Sequence, residues 1–292
     1  MKQAIEEAVE DALRQEQKPV VIFMLGGVDV GKTYAVTSIA NVFFAQGLKV
    51  AVVDTDVGQS DIGPPCCIGL GIQEKELRTL SEVPLHSLYF VGTTSPNLCT
   101  HECVKGAAAA VAKAKGLGSD VIIVDSTGWI EGEDAKRFKL YEIKAIKPTL
   151  VIAIEREERL GHILTDLNMR VIKLSVSGEV RSRSREERKA LREEAYNRYF
   201  STAKTRVFDP PALAWTLEEG TIMGLFRSDE SEIIGLGILM KWDYEQGKVI
   251  VFTPVDDADA DTETEIQMKI GGLKLIKENG KFKEAKVYNP YV

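Results

Sequence analysis

Residues 26–33 read Gly26-Gly27-Val28-Asp29-Val30-Gly31-Lys32-Thr33, a G-x-x-x-x-G-K-[ST] octapeptide. It follows directly on the apolar run PVVIFML at 19–25 and opens a stretch of helical composition. A strand that ends in a glycine-rich turn and hands over to a helix is a unit of an open α/β sheet. Gly26 and Gly31 permit backbone conformations that aim several N–H groups into one concavity. The helix that follows adds its partial positive N-terminus. Lys32 is placed to reach the β- and γ-phosphates of a nucleotide, and the Thr33 hydroxyl to bind Mg²⁺. A plain tight turn gains nothing from Lys and Thr at those offsets. The whole segment Gly26 to Thr33, with Tyr34 next on the helix, is therefore the candidate site for ATP or GTP.

The rest of the chain fits that unit. Short runs, apolar on both faces, recur at 49–53, 87–91, 121–124, 150–154 and 171–175. Segments of helical length lie at 32–46, 97–116 and 134–146. Strands buried on both faces and alternating with helices predict a doubly wound, mainly parallel sheet of the P-loop NTPase type. After Asp209-Pro210-Pro211 the texture changes to closely spaced glycines and alternating runs such as KVIVFTP. That predicts antiparallel hairpins. The expected division is 1–208 for the P-loop domain and 209–292 for a smaller β-rich domain.

Two further strand ends carry acids. The second strand runs into Asp54-Thr55-Asp56-Val57-Gly58-Gln59-Ser60-Asp61. Carboxyl ends of strands in such a sheet face the ligand crevice. One carboxylate there can order metal-bound water, the role expected of Asp54. The other can accept a proton from an incoming hydroxyl, the role expected of Asp56. The alternative is that an Asp only caps the turn. The strand at 121–124 ends in Asp125-Ser126-Thr127-Gly128-Trp129. Four apolar residues and an Asp form the Walker B arrangement, so Asp125 is a candidate Mg²⁺ ligand with Thr33. Trp129 reads either as a core residue or as a face on which a base stacks.

Net charge is −7, which by itself speaks against nucleic acid. The distribution speaks the other way: residues 170–206 hold eleven Lys and Arg against five Glu, while 256–265 hold six acids and no base. The acidic run is expected to be a solvated loop. Residues 1–17 are charged, with Ile5, Val9 and Leu13 on one helical stripe, which predicts an amphipathic helix packed on the body rather than a secretory leader. With no apolar run long enough for a bilayer, a cytoplasmic location is expected, without membrane partners. Cys99-x-His101-x-Cys103 lacks a second ligand pair at zinc-like spacing, so packed thiols are the expectation for Cys66, Cys67, Cys99 and Cys103.

Taken together, these motifs resemble the P-loop polynucleotide 5′-hydroxyl kinases that act in RNA processing, in their short archaeal and bacterial form. That family shows a D-x-G-Q element after the second strand, here Asp56-Val57-Gly58-Gln59. It shows a clasp after the third strand, here Thr93-Thr94-Ser95-Pro96-Asn97, with the Asn one residue earlier than the pattern. It shows a T-G-W turn, here Thr127-Gly128-Trp129, and a helical lid with two arginines about five residues apart, matched within 177–200 by Arg183 and Arg188. Arg181, Arg185 and Arg192 are neighbouring candidates. The resemblance spans about residues 19–255 and implies transfer of the γ-phosphate of ATP or GTP to the 5′-hydroxyl end of single-stranded RNA or DNA. It further implies Asp56 as base, Lys32 and a lid arginine as charge stabilisers, and Gln59, Asp61, Thr94, Asn97 and Trp129 as acceptor contacts. Larger members carry an extra N-terminal β domain; only eighteen residues precede the first strand here, so roles of that domain are not carried over.

Other readings share the P-loop. A nucleotide switch that regulates a protein partner would often carry an additional lysine inside the loop, where this chain has Val28, Asp29 and Val30. A small-metabolite kinase would leave the arginine-rich segment and Trp129 without a use. A nucleotide-bound scaffold of an RNA-processing complex would have no need of the full set Lys32, Thr33, Asp56 and Asp125.

Overall fold

The computed structural model describes residues 2–14, 18–175, 182–210, 217–227, 233–256 and 266–285. The acidic run from 257 to 265, Pro211 and Arg181 lie outside them.

Seven strands form the first sheet: β1 (Val20–Gly26), β2 (Val50–Asp54), β3 (Cys67–Ile72), β4 (Leu85–Phe90), β5 (Val121–Asp125), β6 (Leu150–Glu155) and β7 (Val171–Ser175). Their spatial order is β4-β3-β2-β5-β1-β6-β7. The run β2-β5-β1-β6-β7 is parallel throughout. β3 is antiparallel to β2 and to β4. Valine and isoleucine fill the central strands, which are buried along their whole length, as a sheet covered on both faces requires. Helix α1 (Lys2–Arg14) lies on one face with α2 (Lys32–Ala45), and its Ile5, Val9 and Ala12 enter that core. Helices α3 (Thr100–Gly116) and α4 (Gly132–Ile146) cover the other face, and a short helix, α5 (Gly161–Leu164), follows β6.

β3 is the strand missing from the sequence reading, and its glycines explain why. A Cβ at Gly69 would strike the Ile62 backbone, and one at Gly71 the Val83 side chain and the Pro84 carbonyl. This strand is overlaid by main chain rather than by side chains, so the alternation that signals a strand is absent.

The second sheet comprises β8 (Lys204–Phe208), β9 (Thr221–Arg227), β10 (Gly235–Asp243), β11 (Lys248–Thr253), β12 (Ile266–Glu278) and β13 (Lys281–Ala285), in the order β13-β12-β9-β10-β11-β8. All its neighbours are antiparallel. It takes in β8, which precedes the boundary expected at 209. It also shares a core with the first sheet: Cys66, Cys67, Leu88 and Phe90 pack with Ile222, Leu236 and Phe282. Between the sheets lies α6 (Arg185–Tyr199), whose Tyr196 and the following Phe200 enter the same core. Ser184 caps α6: its hydroxyl accepts the Glu187 N–H while the Glu187 carboxylate accepts the Ser184 N–H.

Candidate active site

The order of the first sheet sets the position of the crevice. The chain leaves β1 for β2 on one side and later reaches β6 on the other, so the loop after β1 lies at a switch point. Gly31 at φ +84° turns the chain into α2, and Asp29 also holds a positive φ of 56°. Gly26 is obligatory for closeness: a Cβ there would lie 2.6 Å from the Ile154 carbonyl. Gly128 is its counterpart after β5, where a Cβ would lie 2.8 Å from the Val28 backbone. The T-G-W turn therefore rests directly on the phosphate loop.

Around this loop is a cleft of about 520 Å³. The residues from Val28 to Tyr34 line it, with Asp56, Gln59, Asp61 and Asp125 on one side and Arg183 and Arg188 on another. Lys32 is buried and donates to the Gly27 carbonyl at 2.7 Å. Burial pushes its ammonium pKa down, against the upward pull of Asp125 and Asp56. The Thr33 hydroxyl donates to Asp125 Oδ2 at 2.8 Å. Asp125 Oδ1 is buried without a hydrogen-bond partner. Burial pushes the Asp125 carboxyl up to about 6, with Lys32 and the Thr33 bond pulling the other way. A buried carboxylate oxygen with no donor, beside a threonine hydroxyl, is the donor set a hard cation requires, so these residues fit Mg²⁺.

The two acids after β2 differ in role. Asp54 pairs in register with Asp125 across β2 and β5, yet its oxygens are used inside the loop. Oδ1 accepts the Asp56 N–H at 3.0 Å, and Oδ2 accepts those of Asp61 at 2.6 Å and Ile62 at 3.1 Å. It is not among the residues that line the cleft. The lone pairs of Asp54 hold the 56–62 loop, and a part in ordering metal-bound water stays an expectation. Asp56 does line the cleft. It also caps a turn, its Oδ1 accepting the Gly58 and Gln59 N–H groups at 3.0 Å each. Gly58 lets the clasp approach this turn, since a Cβ there would lie 2.9 Å from the Thr94 carbonyl. Asp61 is raised by burial, with Arg183 and Arg198 opposing.

Beneath both acid-bearing strands sits a buried pair. Lys139 donates to Glu142 at 3.0 Å with both side chains fully buried. The Thr55 hydroxyl donates to Glu142 at 2.9 Å, and the Thr55 N–H to the Asp125 carbonyl at 2.9 Å. This chain of bonds fixes Asp56 and Asp125 relative to one another through the residues beside them.

The lid arginines meet the phosphate loop through Asp29. Its Oδ2 accepts from Arg188 Nη2 at 2.8 Å and from the Arg183 N–H at 3.0 Å. Burial raises the Asp29 carboxyl, but these bonds and the two positive charges bring it below its ordinary value. Gln59 Nε2 donates to the Arg188 carbonyl at 3.2 Å, which ties the loop after β2 to the same helix.

Three expected acceptor contacts lie outside the cleft lining. Thr94 reaches the site through its carbonyl beside Gly58. Asn97 is exposed on a single 3₁₀ turn, Pro96–Leu98. Trp129 is half-buried and stacks on Phe138 with ring centroids 5.5 Å apart. Conversely, the cleft has a wall that sequence reasoning missed: Arg78, Thr79 and Ser81, from the turn between β3 and β4, with Arg198 on α6 beside the candidate Arg192. No motif marks residues 78–81. Arg198 carried a signal, because 188, 191, 195 and 198 fall on one face of a helix.

Residues 26–202 match the family model described as mRNA cleavage and polyadenylation factor CLP1 P-loop. A polyribonucleotide 5′-hydroxyl-kinase of Methanocaldococcus jannaschii is 32% identical, over 92% of this chain and 90% of that protein. Its namesake from Pyrococcus furiosus is 35% identical over 80% of this chain and 65% of that protein. The structure of a Clp1p–Pcf11p complex superposes with a TM-score of 0.71 at 13% identity, over 94% of this chain and 78% of that one, a likeness of fold. With well over half of its length under the family model and a relative above 30% identity matched almost end to end, this chain belongs to the CLP1 P-loop family.

Proposed function

We propose that the chain is a polynucleotide 5′-hydroxyl kinase, an enzyme that transfers the γ-phosphate of ATP or GTP to the 5′-hydroxyl end of RNA or DNA. The observation that carries this is the convergence of Asp56, Lys32, Thr33, Asp125, Arg183 and Arg188 on one cleft. The names of its relatives support the same acceptor chemistry. The reading places the protein in the cytoplasm; among the described residues no helix is long and apolar enough to cross a membrane.

In this reading the triphosphate lies on the backbone N–H groups of 26–33. Lys32 leaves the Gly27 carbonyl for the β- and γ-phosphates, its lowered pKa reflecting a buried cation that gains from an anion. Thr33 and Asp125 would hold Mg²⁺, which when bound neutralises charge on the phosphate oxygens. Asp56 accepts the proton of the 5′-hydroxyl as that oxygen bonds to the γ-phosphorus, and the bond to the β-γ bridging oxygen breaks to release the nucleoside diphosphate. Arg188 or Arg183 exchanges Asp29 for the transferred group. Gln59, Asp61, Thr94 and Asn97 shape the acceptor side, and Trp129 offers the terminal base a rigid ring.

The test is transfer of labelled phosphate from γ-labelled ATP to matched 5′-hydroxyl RNA and DNA oligonucleotides. Labelled acceptor that a Lys32→Ala variant does not produce supports the reading. Nucleotide binding with no transfer to either acceptor would leave a switch or scaffold instead.

A further inference from the structure

One hairpin of the second sheet is bonded both to α6 and to Gly92, the residue before the 93–97 segment. Strand β13 is an edge strand, and α6 covers that edge with side chains that imitate a neighbouring strand. Asn197 Nδ2 donates to the Phe282 carbonyl at 2.9 Å, and the Phe282 N–H donates back to Asn197 Oδ1 at 2.8 Å. One helical turn earlier, Glu193 accepts the Glu284 N–H at 3.1 Å and the Lys283 ammonium at 2.8 Å. Arg192 closes the seam with a two-pronged bond to Glu284, at 2.6 and 2.8 Å. Six bonds thus fix α6 from Arg192 onward, whereas Arg188 and Arg183, towards and before its N-terminus, bond to the phosphate loop.

The partner strand β12 reaches the turn before the 93–97 segment. Its ladder with β9 slips between Ile270 and Lys274. At that irregularity the Gly272 N–H donates to the Gly92 carbonyl at 2.8 Å. Gly92, at φ +85°, is the residue from which the 93–97 clasp departs. The approach leaves no room for side chains: a Cβ at Gly271 would lie 3.1 Å from the Gly92 oxygen and 3.0 Å from the Phe90 ring.

We infer that the β12–β13 hairpin is a brace that sets the distance between lid and clasp, and that Glu284 and Gly271 are positioning residues for the polynucleotide acceptor. The inference rests on the kinase reading for the identity of that acceptor. None of the described residues of the hairpin lines the cleft around the phosphate loop and Asp125, so nucleotide binding is not its task. Its two attachments are far apart in sequence and serve one gap. A loosened attachment on either side widens the same gap.

The experiment compares wild type with Glu284→Gln, Gly271→Ala and the double variant. Glu284→Gln keeps the shape of the side chain and removes its charge. Fluorescence anisotropy measures binding of a labelled 5′-hydroxyl oligonucleotide in the presence of a non-hydrolysable ATP analogue, and analogue binding is measured separately. Each single variant should weaken oligonucleotide binding roughly tenfold, with analogue affinity within about twofold of wild type. The double variant should lose less than the product of the singles, because both act on one distance. Glu284→Asp, which restores the charge, should recover part of the loss. Equal weakening of oligonucleotide and nucleotide, or unchanged oligonucleotide affinity in correctly folded Glu284→Gln, overturns the brace. Absence of phosphate transfer by wild type removes the kinase reading by itself, and the anisotropy measurement still decides the brace.

Discussion

Asp29, inside the phosphate loop, pairs with Arg188 of the lid at 2.8 Å. In the proposed reading, a carboxylate in that position does for the lid what a phosphate does when nucleotide is bound: it gives a guanidinium a partner. The pair is partly buried, with side-chain exposures of 14% for Asp29 and 29% for Arg188, so solvent weakens but does not erase it. A triphosphate must take Arg188 from Asp29. Asp29→Asn should therefore lower the KM for ATP roughly two- to fivefold, the order of a pair that solvent still screens, and Asn tolerates the positive φ at this position. Arg188→Ala should lower kcat by about 10²–10³, and Arg188→Lys should not restore it, because an ammonium lacks the planar fork. A KM for ATP that rises in Asp29→Asn would show that the carboxylate helps rather than competes.

Asp54 supplies the second prediction. It is buried, and three main-chain N–H groups of the 56–62 loop end on it. Asp54→Ala leaves those donors without acceptors, at a cost of ~1–3 kcal/mol for each that stays dry. The loop that carries Asp56 and Gln59 should lose its geometry, so kcat should fall by at least about 100-fold while nucleotide affinity stays within a factor of two or so. Thermal unfolding and nucleotide titration on the same sample check both halves. A variant that loses nucleotide binding first would place Asp54 with the phosphate loop after all.

Much of this site was legible in the sequence because its parts are local. The Gly26–Thr33 turn, Asp125 at a strand end and Asp56 with Gln59 each follow an apolar run by a fixed offset, and the sheet brings such ends together. The 177–200 segment was legible as an arginine-rich run, whereas the capping box at Ser184 and Glu187 emerged only in the structure. What stayed hidden depended on contacts distant in sequence. β3 was masked by Gly69 and Gly71, whose reason is the Ile62 backbone and Val83 above them. The pairing of Asp29 with Arg188 joins residues 159 positions apart, and nothing local to either announces it. The different fates of Asp54 and Asp56 were also invisible, since two acids two residues apart on an irregular turn need not face the same way.

Asp125 predicts a pH dependence in protein free of Mg²⁺. Burial holds its carboxyl near 6, above the ordinary 3.8. The unfolded chain gives up this proton first. The stability from a neutral Asp125 is therefore present below about 3.8 and is lost as pH rises through about 6, in total roughly 3 kcal/mol at most. Asp125→Asn never ionises and can still accept from Thr33. Its stability should exceed that of wild type by an amount that grows across this window and is flat above it, while Mg²⁺-dependent transfer is lost. Unfolding midpoints of both proteins from pH 4 to 8 decide it; a gap independent of pH would mean that the neighbouring acids, not Asp125, carry the titration.

Trp129 has two jobs to separate. Its ring lies on Phe138 at 5.5 Å with planes 29° apart, and it packs against the core shared by α3 and α4. That contact fixes the plane of the indole, which is what a stacking platform needs, because a ring already ordered loses little entropy when a base settles on it. Trp129→Ala should raise the KM for a 5′-hydroxyl oligonucleotide by about 5- to 100-fold, the equivalent of ~1–3 kcal/mol for one stacked base, and change the KM for ATP less than about twofold. The same variant should also lower stability through the loss of packing on Phe138, by roughly 2–4 kcal/mol. Trp129→Phe keeps an aromatic face on Phe138 and should recover most of both losses. If Trp129→Ala is destabilised while its oligonucleotide KM equals that of wild type, the indole belongs to the core and the terminal base rests elsewhere in the cleft.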